Sequence, residues 1–515
     1  MPPAEREDGD TVEGRPPVRA AEERVSRSAT FAFLAQMVGA VLTGVLTIFL
    51  GRALSASQFG DFTFALSVVL IATLFADLGI NSSSGRFVAE RRGDRAAAAA
   101  VFRTSFWLKV LIGLPASVAL FVLARPICEL FGTSHAVWAV RGSAIALLGQ
   151  SLFLLILGTF TALGMLRYNL ALATVESVAE TIATFALVLL GAGATGAAFG
   201  RAIGYVVGVA GGVVMTTRVL GAVRRAGRHS DHAVVPPRRI LAYAGPLFAV
   251  DAAFRVFASI DVLLIAALVS GGAAVAAFGL PMRFAAFLDY PAGAVSSAVA
   301  PRMARRGSDD LVVLSQSLRY LIILQMVSTA PLLIWSEALI HLIFGDKYPD
   351  APAVLRALAP YVLLAGIAQP TTLAVNYLGQ ARRRVPIAAA MLGVNVLIDV
   401  TLLPRIGVVA GAIGTSAAYA IWVPAHVWLL RQQAGLRVRP ILLTLFRTCL
   451  AGGVMVGVLA LLGTGIVSVP LILAGAVAGP LAYFLALFVL RELTPVDLEV
   501  FRGMLPRRAP AQARG

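Results

Sequence analysis

Charged side chains are scarce in this sequence. Asp, Glu, Lys and Arg make up 14% of the 515 residues, whereas hydrophobic residues make up 58% and the mean hydropathy is +0.84. Soluble chains are about a quarter charged. Although the length alone would suggest several soluble domains, no break in composition separates them. The composition therefore excludes a string of ordinary soluble domains.

Cysteines and catalytic signatures are scarce as well. Cys128 and Cys449 lie far apart and fit no metal-binding or redox spacing, so we expect two small apolar residues and no disulfide framework. The sequence lacks GxxxxGK[ST], HExxH, GxSxG and CxxC, the motifs of nucleotide, metal, serine and dithiol chemistry. We therefore expect a protein that is not an enzyme and that carries no metal or cofactor.

Apolar runs are what the sequence has in abundance. Each is about 20 residues long, enough to cross roughly 30 Å of hydrocarbon as a helix. Because lipid offers no partner for backbone amides, such runs must be helical, which predicts an all-α polytopic membrane protein. The fourteen predicted transmembrane helices are residues 30–51, 60–80, 104–124, 138–163, 169–190, 196–217, 241–268, 273–300, 319–336, 353–377, 385–403, 408–430, 446–464 and 469–490.

The basic residues test this topology. With the N-terminus in the cytosol, 33 of the 43 Lys and Arg fall in cytosolic segments and four in outer loops. A miscounted helix would invert every later loop and destroy that asymmetry. We therefore predict fourteen spans with both termini in the cytosol. The net charge of +16 follows these loops and not one face of a soluble domain, so we expect no nucleic-acid partner.

An internal repeat relates the two halves of the chain. LGMLR at 163–167 matches LGQAR at 378–382, an offset of 215 residues. The same offset relates TGAAFG to AGAIGT, and an offset of 214 relates AERRGD to ARRGSD. Because this shift equals six predicted helices, the repeat is parallel. It predicts two six-helix lobes around a central cavity, followed by two additional C-terminal helices.

The repeat also predicts the domain organisation. The N-terminal tail is polar and has no apolar core, so we expect it to carry no cleavable signal peptide and to be disordered. The predicted units are a cytosolic tail (1–28), an N-lobe with helices 1–6 (29–217), a basic cytosolic linker (218–239), a C-lobe with helices 7–12 (240–431), helices 13–14 (432–491) and a cytosolic tail (492–515).

Three stretches resemble one membrane protein family. LGRALSASQFGDFTFALSVVLIATLFADLGINSSSGRFVAE (50–90) resembles the start of the bacterial oligosaccharide and polysaccharide flippases, including the Leu-Gly, Phe-Gly and Ala-Asp-Leu-Gly elements around their second helix. AAFGLPMRFAAFLDYPAGAVSSAVAPRMA (276–304) is similar to their eighth span, and residues 378–422 are similar to their eleventh and twelfth. The resemblance covers about residues 29 to 431.

The resemblance implies a function. These flippases belong to the multidrug, oligosaccharidyl-lipid and polysaccharide exporter superfamily, so the expected substrate is an undecaprenyl-pyrophosphate-linked oligosaccharide, moved between leaflets of the bacterial inner membrane by alternating access. The expected protein is a monomer that contacts membrane lipid, with a glycan polymerase and glycosyltransferases as candidate partners. A cation-coupled multidrug antiporter and a peptidoglycan-precursor (lipid II) flippase are the alternatives. The first predicted helix contains no charge, whereas lipid II flippases carry functional Arg and Asp there.

Ionisable residues at membrane depth are the candidate site, since each costs at least about 2.5 kcal/mol if it faces lipid. Asp251 and Arg255 share one helical face, either as a mutually neutralising pair or as a cavity wall. Arginine binds phosphate through two parallel hydrogen bonds and stays charged. We therefore expect Arg255, Arg283, Arg201 and Arg141 to line the cavity and contact the pyrophosphate.

Carboxylates form a second candidate set. Glu176 and Glu180 also share one face, and two acidic groups in one low-dielectric place are typical of an H⁺ or Na⁺ site. Neutralisation by Arg201 on the next helix is the alternative. The repeat places polar groups of both lobes, including Asp399, at one level. We assign these residues, with Asp77 and Asp251, to ion coupling or charge balance.

The remaining membrane-depth charges are expected to have simpler roles. Lys109, like Arg141 in the alternative to cavity lining, could extend to the headgroups. Asp261 and Asp289, nearer the outer side by topology, are interpreted as local partners of neighbouring polar groups or as interfacial residues. The triplet at 382–384 is interpreted as part of a positively charged cytosolic loop.

Overall fold

The computed structural model describes residues 18–221, 236–269, 271–290, 292–293, 296, 308–378 and 381–493. Within these residues every regular element is a helix and strands are absent. The α-helices are α1 Val18–Ala53, α2 Ala56–Asp77, α3 Ile80–Glu90, α4 Arg95–Leu130, α5 Val137–Ala162, α6 Leu166–Leu187, α7 Gly193–Gly221, α8 Pro237–Leu268, α9 Gly272–Phe287, α10 Ser308–Ile334, α11 Ser336–Phe344, α12 Ala351–Ala357, α13 Ala359–Tyr377, α14 Arg384–Ile406, α15 Val409–Ala434, α16 Val438–Leu461 and α17 Val469–Val489.

The predicted all-α membrane architecture is confirmed. Each predicted span overlaps a helix, although the last residues of the eighth, 297–300, lie outside the described part. Nine helical segments of the described chain are long and apolar enough to cross a membrane, and α12 with α13, bent by 45°, makes a tenth. One of the nine, Leu166–Leu220, contains both α6 and α7. The count of fourteen stays a prediction.

The α6–α7 segment is a hairpin held by glycines. Gly191 has φ 90° and lies in the turn between the two helices. A Cβ added to Gly200, Gly204 or Gly208 would lie 2.3 Å from Thr184, 2.6 Å from Glu180 or 2.9 Å from Phe153 and 3.0 Å from Glu176, respectively. Successive glycines of α7 thus face residues of α6 with decreasing numbers, from Thr184 to Glu176, so the two helices are antiparallel. Their backbones are nearly in contact.

The C-lobe repeats this arrangement in α14 and α15. There a Cβ added to Gly414 would lie 2.6 Å from Asp399 Oδ1 and 2.8 Å from Asn395 Nδ2. Asn395 is the residue that the 215-residue offset matches to Glu180. Polar side chains therefore lie at one level of equivalent hairpins, as the repeat predicts.

Predicted span two is broken. A capping box at Ser55 starts α2, and the helix ends at Asp77 because Leu78 and Gly79 both adopt left-handed conformations, with φ 43° and 76°. The chain continues as α3. Asp77 Oδ1 accepts a hydrogen bond from the Asn81 amide in the first turn of α3, at 3.4 Å. The break thus holds a carboxylate in the interior of the bundle.

The lobes meet closely at the end that the topology predicts to face outward, where residues 54–55, 131–136 and 345–350 connect the helices. A Cβ on Gly60 of α2 would lie 1.7 Å from the Gly272 carbonyl oxygen of α9. The largest apolar core contains residues of both lobes, including Phe62 and Phe278. Glycine at these positions permits the backbones to pack this tightly.

Three side chains fasten this end; we call Arg52, Lys347 and Tyr348 the outer clasp. Arg52 donates hydrogen bonds of 2.8 and 2.7 Å to the carbonyls of Ile343 and Leu342 at the C-terminus of α11. Lys347 donates to the Arg52 and Leu54 carbonyls at 2.5 and 3.2 Å, at the end of α1, and Tyr348 donates to Gly51 at 2.9 Å. Each helix C-terminus therefore receives a cation from the other lobe, which complements both helix dipoles.

The last two helices are attached through Glu492, which is 4% exposed. Its carboxylate accepts hydrogen bonds from Arg319 of α10 at 2.9 Å, and from Thr444 and Arg447 of α16 at 2.7 and 3.0 Å. Burial alone would raise the pKa of the Glu492 carboxyl, but these hydrogen bonds outweigh burial and hold the pKa below the ordinary 4.5.

The ends of the predicted units differ from the helices. Helix α1 begins at Val18, inside the predicted disordered tail 1–28, because VRAAEERV is rich in residues with high helix propensity. The predicted tail 492–515 starts with the buried Glu492. Helices α7 and α8 end and begin within the predicted linker 218–239, of which residues 222–235 lie outside the described part.

Glu492→Gln should destabilise the protein by about 2 kcal/mol, because it weakens the charge-assisted hydrogen bonds that Arg319 and Arg447 donate to this side chain. Since the native pKa is depressed, the carboxylate's contribution is complete above pH 4.5 and is lost as the pH falls through the native pKa. Thermal midpoints of the detergent-solubilised chain test this. Glu129→Gln, in an exposed pair with Arg125, is the matched control and should change little.

Arg52→Ala combined with Lys347→Ala should favour separation of the lobes at the predicted outer end, since each cation contributes up to about 1 kcal/mol at a helix C-terminus. In a background without native cysteines, a Thr63→Cys probe reports this, because Thr63 is 5% exposed and faces Gly279. Its labelling by a water-soluble maleimide should increase. Unchanged labelling would show that the clasp does not hold this interface.

Candidate functional site

A cavity of about 500 Å³ lies between the lobes. Helix α1 contributes its N-lobe wall, and α9, α11 and α13 contribute the C-lobe wall. Most of the wall is apolar. Its polar lining residues are Thr43, Thr47, Arg283, Asp289, Tyr290 and Gln369.

Arg283 is the cation of this cavity. Its guanidinium lies over the rings of Phe59 and Phe62, 5.5 and 5.2 Å from the ring centres. Among the residues that the structure describes, it forms no ion pair and no hydrogen bond. The aromatic faces compensate only part of a desolvated charge. The donors of Arg283 are therefore available to an anion in the cavity.

Asp289 and Gln369 form a second polar group in the same wall. Gln369 donates a hydrogen bond of 3.2 Å to Asp289 Oδ2. Asp289 Oδ1 is buried and has no partner among the described residues. The pair therefore presents acceptors to a neutral or hydroxylated ligand, and the interpretation of Asp289 as a local partner describes only one of its oxygens.

Arg255 lies between the lobes in a different contact. It extends from α8 to the Thr73 hydroxyl and lies 3.6 Å from Asp77 Oδ2, both on α2. Asp77 also binds Lys109 of α4, with Nζ 2.9 Å from Oδ1. The side chain of Asp251 lies outside the described part, so its predicted pairing with Arg255 stays a prediction.

Lys109 does not extend to the headgroups as expected. It is 0% exposed, and its ammonium donates to the Ser151 carbonyl and hydroxyl at 2.8 and 2.9 Å as well as to Asp77. A lysine can be this deep because three acceptors surround it. Helical periodicity could not predict this, because the partners belong to two other helices.

The N-lobe hairpin contains the predicted acidic pair. Arg201 of α7 lies 3.2 Å from Glu180 of α6 and donates to the Tyr205 hydroxyl at 3.0 Å. Glu176, which is 7% exposed, accepts a hydrogen bond from Ser177 at 3.1 Å. The geometry thus corresponds to the alternative for Glu180, which Arg201 neutralises, and it leaves Arg201 engaged within the N-lobe. Among the described residues, Glu176 forms no ion pair.

Arg141 is packed against aromatic rings. It contacts Trp138 and Phe121 near the start of α5, with ring distances of 4.8 and 5.2 Å. Trp138 is 55% exposed, which is typical of the edge of a lipid-facing surface. Neither described cavity is lined by Arg141.

Asp399 is part of an acidic cluster that the sequence revealed only in part; the cluster comprises Asp261, Asn395, Asp399 and Thr415. Thr415 donates to Asp261 Oδ2 at 2.5 Å. Asp261 Oδ1, both carboxylate oxygens of Asp399 and the Asn395 amide are buried and have no partner in the described part of the chain. Two buried carboxylates with orphaned oxygens fit a small cation or a proton.

The interpretation of Asp261 as a local or interfacial residue was therefore incomplete, and Thr415 was missed. Thr415 could have been found by applying the hairpin register of α6–α7 to α14–α15, which places residue 415 beside Asp399. Asp261 lies on the third helix of the cluster, α8, which could not be placed from the sequence. A cavity of about 160 Å³ is lined by Asp261, Thr415 and Arg283, so the acidic cluster and the free arginine share a wall.

The three arginines of the basic triplet 382–384 differ in burial. Arg382 and Arg383 are exposed, as a loop position predicts. Arg384 starts α14 and is 6% exposed, bonded to Asn376 at 2.6 Å and to His426 at 3.2 Å. Its backbone position begins a helix, which turns the side chain into the C-lobe core.

The chain belongs to the polysaccharide biosynthesis protein family, whose model matches residues 25–306, more than half of its length. This confirms the resemblance to the polysaccharide flippases. The matched region contains Arg255, Arg283, Asp77 and Lys109. No curated protein sequence is significantly similar to the chain.

The fold is that of the multidrug, oligosaccharidyl-lipid and polysaccharide exporter superfamily. The lipid II flippase MurJ, in an inward closed conformation, aligns with a TM-score of 0.70 at 14% identity over 90% of this chain and 99% of MurJ. An inward-facing multidrug resistance MATE transporter gives 0.58 at 16% identity, over 78% and 95%. A superfamily transporter from Pyrococcus furiosus, described as having a binding pocket of reverse polarity, gives 0.58 at 15%, over 79% and 96%.

Proposed function

We propose that the protein is a flippase that moves an undecaprenyl-pyrophosphate-linked oligosaccharide from the inner to the outer leaflet by alternating access. The family and the fold support a membrane transporter of polysaccharide biosynthesis. The observation that carries the finer proposal is Arg283, a guanidinium without a described ionic partner in a cavity between the lobes.

The cavity chemistry fits the two parts of such a headgroup. Arg283 would bind the pyrophosphate through its planar set of donors. Asp289 and Gln369, together with the hydroxyls of Thr43 and Tyr290, would accept and donate hydrogen bonds to sugars. The prenyl tail would stay in lipid beside the lobes, because hydrocarbon gains nothing from entering a polar site.

The protein's membrane, orientation and partners follow from the same function. The positive-inside asymmetry supports insertion in the bacterial inner membrane with both termini in the cytosol. A glycan polymerase and glycosyltransferases would act before or after translocation. We propose a monomer, because each lobe already packs against the other through a shared core.

Lipid II is a second candidate cargo, favoured by the similarity to MurJ over nearly the whole chain. The described stretch of α1 that lines the cavity, from Thr43 to Ile48, contributes no charge. Deleting the gene and identifying the prenyl-linked sugars that accumulate would distinguish the two cargoes. A multidrug antiporter would instead export organic cations, and the free arginine in the cavity argues against it.

We further propose that the acidic cluster binds the coupling cation, Na⁺ or H⁺. The support is the set of buried, orphaned oxygens on Asp261 and Asp399 beside the Thr415 hydroxyl. A bound cation would compensate both carboxylates. Arg283 lines a cavity with two of these residues, so cation and substrate would act on neighbouring charges.

Arg283→Ala should abolish export of surface glycan while the protein remains in the membrane at normal amounts. The loss of a charged phosphate contact corresponds to about 2–3 kcal/mol, a factor of at least ten in transport. Complementation of a deletion strain, scored by surface glycan, measures the effect. Arg283→Lys should retain only part of the activity, because an ammonium lacks the planar fork.

The control for charge removal is Arg125→Ala, which alters an exposed ion pair at the end of α4. This variant should export glycan normally. Normal export by Arg283→Ala would contradict the assignment of the anion site.

Asp399→Asn should remove cation-dependent stabilisation. If Na⁺ binds the native cluster, the thermal midpoint of the purified protein should rise in NaCl relative to choline chloride at equal ionic strength. The rise should disappear in Asp399→Asn and persist in the exposed control Asp346→Asn. A proton site predicts no Na⁺ effect but export that depends on the pH gradient. Insensitivity to both would rule out the cation proposal.

A further inference from the structure

Asp77 receives donors from three directions at the break between α2 and α3. Lys109 lies 2.9 Å from Oδ1 and the Asn81 amide lies 3.4 Å from the same oxygen. Arg255 lies 3.6 Å from Oδ2. Because the side chain is only 12% exposed, water cannot replace a lost partner freely.

The partners of Asp77 differ in the lobe they belong to. Lys109, Ser151 and Asn81 are all N-lobe residues, and Lys109 is fully buried with three acceptors. This part of the network moves with the N-lobe. Arg255 belongs to α8 of the C-lobe, and its side chain is 24% exposed. It is therefore the more weakly bound partner and the one that crosses between lobes.

We propose that Asp77, Lys109 and Arg255 form an exchangeable ionic lock. Lys109 positions the Asp77 carboxylate and neutralises it permanently. Arg255 binds that carboxylate and so holds α8 against α2. When substrate enters, its anionic headgroup binds Arg255 in place of Asp77. The exchange rests on the proposed flippase function, since it needs an anionic substrate.

Lys109 lowers the electrostatic free-energy cost of removing Arg255 from Asp77. When Arg255 leaves, Asp77 keeps one cation at hydrogen-bond distance and the charge of the N-lobe pair is balanced. Without Lys109, Arg255 would be the sole remaining cation among the described neighbours of Asp77. Its departure would then leave an uncompensated carboxylate in a low-dielectric interior. Lys109 is thus a positioning residue that acts through Asp77 and does not contact substrate.

The lock leads to a conformational test on the purified full-length chain. Arg239 of α8 lies over the Phe87 ring of α3, 5.8 Å from its centre. Cross-linking of a Phe87→Cys/Arg239→Cys pair by a flexible bis-maleimide, in a background without native cysteines, therefore reports contact between the lobes. Farnesyl pyrophosphate serves as the anionic probe and farnesol as the uncharged control. In the otherwise intact lock, farnesyl pyrophosphate should lower cross-linking about five- to tenfold, and farnesol should not.

Variants of the lock should respond in a defined order. Asp77→Asn should lower cross-linking without any probe. Lys109→Met should retain the contact and lose the response to farnesyl pyrophosphate, and Lys109→Arg should keep the response. Adding Asp77→Asn to Lys109→Met should release the contact again. This reversal separates a charge-balancing role from a packing role, because a cavity left by Lys109 would not be repaired at Asp77.

The results distinguish failure of the ionic lock from failure of the flippase function. An undiminished response to farnesyl pyrophosphate in Lys109→Met, or an unchanged contact in Asp77→Asn, would overturn the lock. If Lys109→Met does not fold, failure of the double variant to restore a folded, separable protein would also overturn it. The flippase proposal fails separately, when the intact protein does not restore glycan export to a deletion strain.

Discussion

Compensation of charge inside a low-dielectric bundle is the constraint on which this structure depends. The buried Lys109 is surrounded by acceptors, Glu180 is paired with Arg201, and Glu492 receives donors from two helices. These pairs fix which helices are neighbours, because a charge without its partner would cost several kcal/mol. Among the described residues, the departures from this rule include Arg283, the acidic cluster, Asp289 Oδ1 and Arg141 Nε. A transporter's site is expected at such departures, where a ligand completes the compensation.

Much of the architecture could be predicted from the sequence because lipid restricts the backbone structures that can span it. Apolar length and the distribution of arginine predict helices, and a few motifs at one offset predict the repeat. The broken second span, however, depends on Leu78 adopting a left-handed conformation after Asp77. The helical extension of α1 to Val18 depends on propensity outside the membrane. Hydropathy carries no information on either feature.

The site was predictable only within single helices. Spacing along one helix placed Glu176 and Glu180 on one face, which packs against α7. Membrane depth indicated Arg283, whose role as an anion site stays a prediction. Lys109 was misinterpreted and Asp261 was interpreted incompletely because their partners come from other helices, and one sequence does not reveal which helices touch. Arg384 shows the same limit, since its two neighbours in the triplet are exposed while it is buried.

The glycines of the α6–α7 hairpin have a consequence for motion. Where two backbones touch through Gly200 and Gly204, no side chain is available to change rotamer and absorb a sliding movement. The hairpin must therefore travel as one rigid body. Glu180 and Arg201 lie on opposite arms of that body, so we expect their separation to stay the same as the N-lobe reorients. Reorientation of the N-lobe can then proceed without any separation of charge inside it.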